Sequence, residues 1–149
     1  MTFILALLLA AAGAEAIEKV PPQADAISLV NKFMTALRLP DEAERVRAVL
    51  PFVHKSLKTN DGKHLTRNVR QYSFQKASQS VHLYRSPVVV TEVHKGKSLQ
   101  VGYKQTAERG RKDKYFVATK DGKVGRPAPI HVFFPDGGGA PKVFDFGSL

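Results

Sequence analysis

The stretch Ile130-His-Val-Phe-Phe-Pro-Asp-Gly-Gly-Gly-Ala-Pro-Lys-Val-Phe-Asp-Phe146 reads as two strands around a turn. Ile130, Val132 and Phe134 alternate with His131 and Phe133, the period of two that marks a strand with one covered face. Pro135 to Gly139 is a cluster of turn formers, and Lys142 to Phe146 supplies the returning strand. Working upstream, the same grammar continues. Tyr115, Val117 and Thr119 alternate with Phe116 and Ala118, and Leu99, Val101 and Tyr103 alternate with Gln100, Gly102 and Lys104. Val88 to Val93 is a run rich in β-branched residues behind Pro87. Lys95-Gly96-Lys97 and Asp121-Gly122 read as turns, Gly125 to Pro129 as an extended connector, and Arg109 to Asp113 as a basic loop. Short links between consecutive strands predict an antiparallel sheet of about five strands.

The first half of the chain has helical spacing instead. Ala26, Val30, Phe33 and Leu37 recur every three or four residues, with Asp25 in the first turn and Pro40 as a stop. Asp41 with Glu44 three residues on is a capping-box variant that opens a second helix. Val46, Val49, Leu50 and Val53 give that helix its apolar face, and Pro51 ends or kinks it at Leu50. Thr59 to Gly62 forms a turn cluster. Arg67 to Val81 contains neither Gly nor Pro and reads as a third helix, with Phe74, Ala77, Val81 and Tyr84 along one side. The fold class expected is α+β: two or three N-terminal helices packed on a curved antiparallel sheet of about four to six strands.

The chain has 149 residues, 43% of them hydrophobic and 24% charged, which excludes a disordered chain and suits one domain. It has no cysteine, so disulfides, thiolate metal sites and a cysteine nucleophile are excluded. Phe3 to Ala12 is an unbroken apolar run followed by Ala14-Glu15-Ala16. It is shorter than a bilayer span and ends in the small residues of a cleavage site, the pattern of a secretory signal peptide. The expected organisation is a signal peptide over 1–16 and a single cone-like domain over 17–149, exported to a periplasm or secreted. The formal charge of +10 becomes +11 when Glu15 is removed.

Helix Asp25–Leu37, the Pro40-Asp41 link, the strand series Val88–Phe146 and the closing hairpin together resemble the nuclear-transport-factor-2-like (cystatin-like cone) superfamily. The resemblance is one of element order and length over nearly the whole mature chain. A weaker one is to exported lipid carriers of the periplasmic phospholipid-transport type. The first resemblance implies a conical pocket between sheet and helices and leaves the chemistry open, because fold does not fix function.

Five histidines, His54, His64, His82, His94 and His131, lack metal-ligand spacing, so no metal and no cofactor is expected. No G-x-S-x-G motif is present, and Gly137 to Gly139 lacks the sequel of a phosphate loop. The first expectation is therefore a non-catalytic exported domain that binds an apolar or anionic small molecule or another protein. Tyr103, Tyr115, Phe133 and Phe144 would line its pocket, with Arg126 as an anion anchor at the mouth. A second reading is a small lyase, isomerase or hydrolase in which His131 and Asp145, on facing strands, form an acid–base pair. A third is a binder of polyanions or anionic lipids through two basic clusters. One is Lys55, Lys58, Lys63, Arg67 and Arg70; the other is Arg109, Arg111, Lys112 and Lys114. Export disfavours nucleic acid as that partner and favours an anionic envelope component; a dimer is compatible with any of these readings.

Overall fold

The computed structural model describes residues 16–121 and 125–149. All of the expected signal peptide except Ala16, and the turn after Asp121, lie outside the described residues. Helix α1 (Ala24–Leu37) buries Ala26, Val30, Phe33 and Leu37, the stripe its spacing predicts, together with Leu29 and Met34. It ends at Arg38, whose Nη2 donates to the carbonyls of Val81, Tyr84 and Arg85 at 3.2 to 3.4 Å. Burial lowers the pKa of this guanidinium, but the carbonyls it satisfies keep it in place. Helix α2 (Glu42–Val49) opens on Asp41, whose side chain accepts from the Glu44 amide at 2.9 Å. Pro51 then tightens the chain into a 3₁₀ turn over Leu50–Phe52.

The third helix departs from simple helical geometry. A wider π-helical segment, Val69–Phe74, precedes α3 (Gln75–Ser80). Phe74, Ala77, Val81 and Tyr84 are buried, while Tyr72 stays 71% exposed.

The strands are β1 (Val90–His94), β2 (Ser98–Val101), β3 (Glu108–Val117), β4 (Ala128–Pro135) and β5 (Lys142–Asp145). They form one antiparallel sheet in the order β1-β3-β4-β5, with β2 also on β3. The architecture is α+β, with helices before strands in the chain.

Two local expectations are corrected. Lys95-Gly96-Lys97 does not reverse the chain. Both β1 and β2 pair antiparallel with β3, β1 with its C-terminal half and β2 with its N-terminal half, so the three residues interrupt one edge strand. The bulge depends on close approach, because a Cβ at Gly96 would lie 1.6 Å from the Lys112 carbonyl oxygen. Nor is Arg109–Asp113 a loop. It lies in the N-terminal part of β3, and its charges are sorted onto two faces by strand alternation.

On the inner face, Tyr115, Val117, Ile130, Val132 and Val143 are buried in one core with the stripe of α1. Helix α1 packs against α2 and β5, and the rings of Phe33 and Phe146 meet edge-on at 4.9 Å. Side chains therefore fill the space between helices and sheet. Asp113, only 1% exposed, holds the strand break from this face: its carboxylate accepts from the Gly96 amide at 2.9 Å. Arg111 satisfies the same carboxylate with two bonds of 2.8 and 2.9 Å.

Candidate functional site

Alternation along β3 places Glu108, Lys112, Lys114 and Phe116 on the outer face, away from Tyr115 and Val117. Register then builds a row of ionisable groups across the sheet. His94 of β1 faces Lys114, Lys114 faces His131 of β4, and His131 faces Asp145 of β5. In the next row Lys112 faces Phe133. A bulge in β5 inserts Phe144, which stacks on Phe133 at 5.7 Å, and Lys112 Nζ sits 5.4 Å from the Phe144 ring centre.

Among the described residues, cavities open at either end of this side of the sheet. The larger, about 760 Å³, is bordered by His94, Lys95, Lys97, Lys112 and Lys114, with Glu18 as its acidic neighbour. One wall is the segment Ala16–Glu18. The chain from Glu18 to Val20 extends the sheet edge: the Val20 amide donates to the Val93 carbonyl at 3.1 Å, and the Lys95 amide to the Glu18 carbonyl at 2.9 Å. Lys95 Nζ is 3.6 Å from Glu18, and Lys19 pairs with Glu92 at 2.8 Å. The floor comes from Lys112 and Lys114, two residues apart on one strand face. The cavity is therefore strongly cationic and suited in size to a small molecule.

The smaller cavity, about 470 Å³, lies at the other end of the face and is bordered by His54, Lys55, Ser56, Lys58, Asp61 and Gly102. Val53 pairs in parallel with Val143, and the His54 amide donates to the Val143 carbonyl at 2.8 Å. This docks His54, only 2% exposed, edge-on against Phe133 with the ring centres 4.8 Å apart. His54 Nε2 is 2.9 Å from Glu108 Oε2, and Nδ1 is 2.8 Å from Ser56 Oγ. The Ser56 amide also donates to Nδ1 at 3.1 Å, which makes Nδ1 an acceptor and puts the ring proton on Nε2, facing Glu108. Burial pushes the Glu108 carboxyl up, but hydrogen bonds from His54 and Lys55 outweigh this and hold it below its usual value. Desolvation, with Lys142 nearby, lowers the Lys58 ammonium.

The residues singled out from sequence distribute as follows. His131 and Asp145 are cross-strand partners, with His131 Nδ1 3.7 Å from Asp145 Oδ2, beyond hydrogen-bond reach. Burial lowers the His131 pKa, Asp145 opposes this, and Lys112 and Lys114 reinforce it. The pair borders neither cavity. Tyr115 is fully buried in the helix–sheet core, its hydroxyl accepting from the Gln23 amide at 3.2 Å. Phe133 is fully buried on the opposite side of the sheet, in contact with the half-buried Phe144. Tyr103 is 75% exposed, and Arg126 is exposed on the β3–β4 connection. These five do not converge on one cavity, because strand alternation and a surface turn separate them.

The two basic clusters are also divided. Lys112 and Lys114 border the larger cavity, and Lys55 and Lys58 the smaller. Arg111 is turned inward to Asp113, Arg70 pairs with Glu42 at 3.1 Å, and Lys63, Arg67 and Arg109 are exposed. Sequence reasoning missed Lys95, Lys97 and His94 as neighbours of Lys112 and Lys114. It also missed the Ser56–His54–Glu108 contact, which spans 54 positions between His54 and Glu108. Among the described residues no group of His, Asp and Glu is arranged to hold a metal ion, and no helix is long and apolar enough to cross a membrane. No family model, curated protein or solved structure matches the chain.

Proposed function

We propose that this protein is an exported binding domain whose ligand is a small molecule carrying two or more anionic groups, held on the outer face of the sheet. The observation that carries the reading is the cavity of about 760 Å³ bordered by Lys95, Lys97, Lys112 and Lys114. Four lysines gathered around one concave space favour a multivalent anion; Lys95 Nζ also lies 3.6 Å from Glu18, and His94 Nε2 3.1 Å from Glu92. The helix–sheet interior is filled by Tyr115, Ile130 and Phe33, which supports a ligand on the outer face rather than in a cone-type pocket. The element order still favours the nuclear-transport-factor-2-like superfamily as the fold's relative. The apolar run before Ala16 supports export, and Ile17 would then be the first residue of the mature chain.

The test is calorimetric titration with sodium pyrophosphate, against vesicles of phosphatidylglycerol and of phosphatidylcholine. Binding of pyrophosphate is expected, weakening as salt rises. The Lys112→Gln, Lys114→Gln double variant is expected to bind about tenfold more weakly or worse. Binding to phosphatidylglycerol vesicles alone would identify a lipid headgroup as the source of the anion. No binding to either, or equal binding by the double variant, overturns the reading. Export is tested separately: the protein recovered after bacterial expression of the full chain should begin at Ile17.

A further inference from the structure

We propose that Ser56, His54 and Glu108 form a nucleophilic acyl-transfer site that cleaves a carboxylic ester entering the cavity of about 470 Å³. Three observations converge on it. The hydroxyl of exposed Ser56 lies 2.8 Å from His54 Nδ1, within reach for proton transfer. The other ring nitrogen is 2.9 Å from Glu108, a carboxylate placed to stabilise the imidazolium that would form. His54 and Ser56 both border the cavity. A histidine that merely caps the short turn Lys55–Leu57 needs only the bond from the Ser56 amide. It needs neither a hydroxyl on the same nitrogen nor a carboxylate drawn from β3.

The reaction balances without a cofactor. Ser56 Oγ attacks the ester carbonyl carbon as its proton passes to His54 Nδ1, and the carbonyl π electrons move onto oxygen. Collapse of this adduct breaks the carbon–oxygen bond to the leaving alcohol, which takes the proton from Nδ1. Water then attacks the acyl-serine, giving its proton to Nδ1, and the regenerated serine recovers that proton. Lys55 and Lys58 border the same space and make it cationic; Lys55 Nζ lies 3.3 Å from Glu108, and Lys58 Nζ donates to the Leu50 carbonyl at 3.1 Å. Glu108 is a positioning residue: it touches the base rather than the substrate.

The experiment incubates the full folded chain with a fluorophosphonate and maps the adduct by mass spectrometry. It then follows p-nitrophenyl acetate hydrolysis. An adduct at Ser56 is expected, with loss of both signals in Ser56→Ala. His54 is core, and its replacement threatens folding, so Glu108→Gln tests the relay. With an unchanged circular dichroism spectrum, this variant is expected to label about tenfold more slowly or worse and to show an altered pH profile of labelling. No adduct on folded wild-type protein, or an adduct elsewhere, overturns the proposal. Unchanged labelling in Glu108→Gln overturns the role of Glu108. Pyrophosphate binding at Lys112 and Lys114 is a separate measurement, so either reading can fail alone.

Discussion

Replacing Asp113 with alanine is expected to destabilise the fold and to open the wall of the cationic cavity together. The carboxylate is 1% exposed and accepts three bonds: 2.8 and 2.9 Å from Arg111 and 2.9 Å from the Gly96 amide. Removing one partner of a buried ion pair costs about 3–5 kcal/mol when the other charge is left stranded. The Arg111 side chain is 32% exposed and regains water, so the expected loss is nearer about 2–3 kcal/mol. With a urea m-value of about 1–3 kcal/mol/M, the midpoint should fall by about 0.7–3 M. The Gly96 amide loses its acceptor, so its hydrogen exchange should accelerate, whereas Asp113→Asn retains an oxygen for that bond and should slow it again. Lys95 and Lys97 flank Gly96, so pyrophosphate affinity should fall in Asp113→Ala although no cavity-lining lysine is changed. A loss below about 1 kcal/mol with unchanged Gly96 exchange would refute the claim that this carboxylate holds the strand break.

Arg38→Ala removes the guanidinium that bonds the carbonyls of Val81, Tyr84 and Arg85, and chemical denaturation should show a loss of about 2 kcal/mol. At Gly110 a Cβ would lie 2.4 Å from the Phe134 carbonyl oxygen and 2.5 Å from the Phe133 ring, so Gly110→Ala should lower the melting temperature by several degrees. His131 is held below its ordinary value chiefly by burial, so the unfolded chain takes up a proton first as pH falls. Its contribution to stability is thus complete above the unfolded value of about 6.5 and is lost as pH falls from there toward the folded value. Melting curves across that window should be flatter for His131→Gln than for the wild type, and equal slopes would contradict the assigned burial effect.

The parts of the fold carried by short-range pattern were legible in the sequence. The stripe Ala26–Leu37 and the Asp41–Glu44 cap act within one or two helical turns, and the structure has both. The alternation over Ile130–Phe134 likewise names its strand. Reading failed where a long-range contact overrides local propensity. Arg109–Asp113 looks like a basic loop, yet Asp113 finds Arg111 and Gly96, and Lys112 and Lys114 point to open solvent space on the far face. Lys95-Gly96-Lys97 has turn composition, but its glycine serves close approach to Lys112. His131 and Asp145 lie opposite each other on β4 and β5, a pairing that the glycine loop between the strands left open in the sequence. The His54–Glu108 contact was invisible, because nothing local in either segment specifies a partner so far along the chain.

Strand β3 links the two ends of the outer face. Glu108, Gly110, Lys112 and Lys114 alternate along one side of it, so the histidine-bound carboxylate is about 13 Å from Lys112 and about 20 Å from Lys114 along the strand. Gly110 leaves that side bare where the Phe133 ring crosses, and Phe133 in turn supports both His54 and Phe144. Lys112 rests over Phe144, so the aromatic pair lies between the two cavities and touches groups at each. A change at Phe133 therefore reaches His54 at one end and, through Phe144, Lys112 at the other. The inner face has no comparable freedom, since Tyr115, Ile130 and Val132 are already committed to the core. The outer-face site proposed above would leave that core free to hold the fold together without a disulfide.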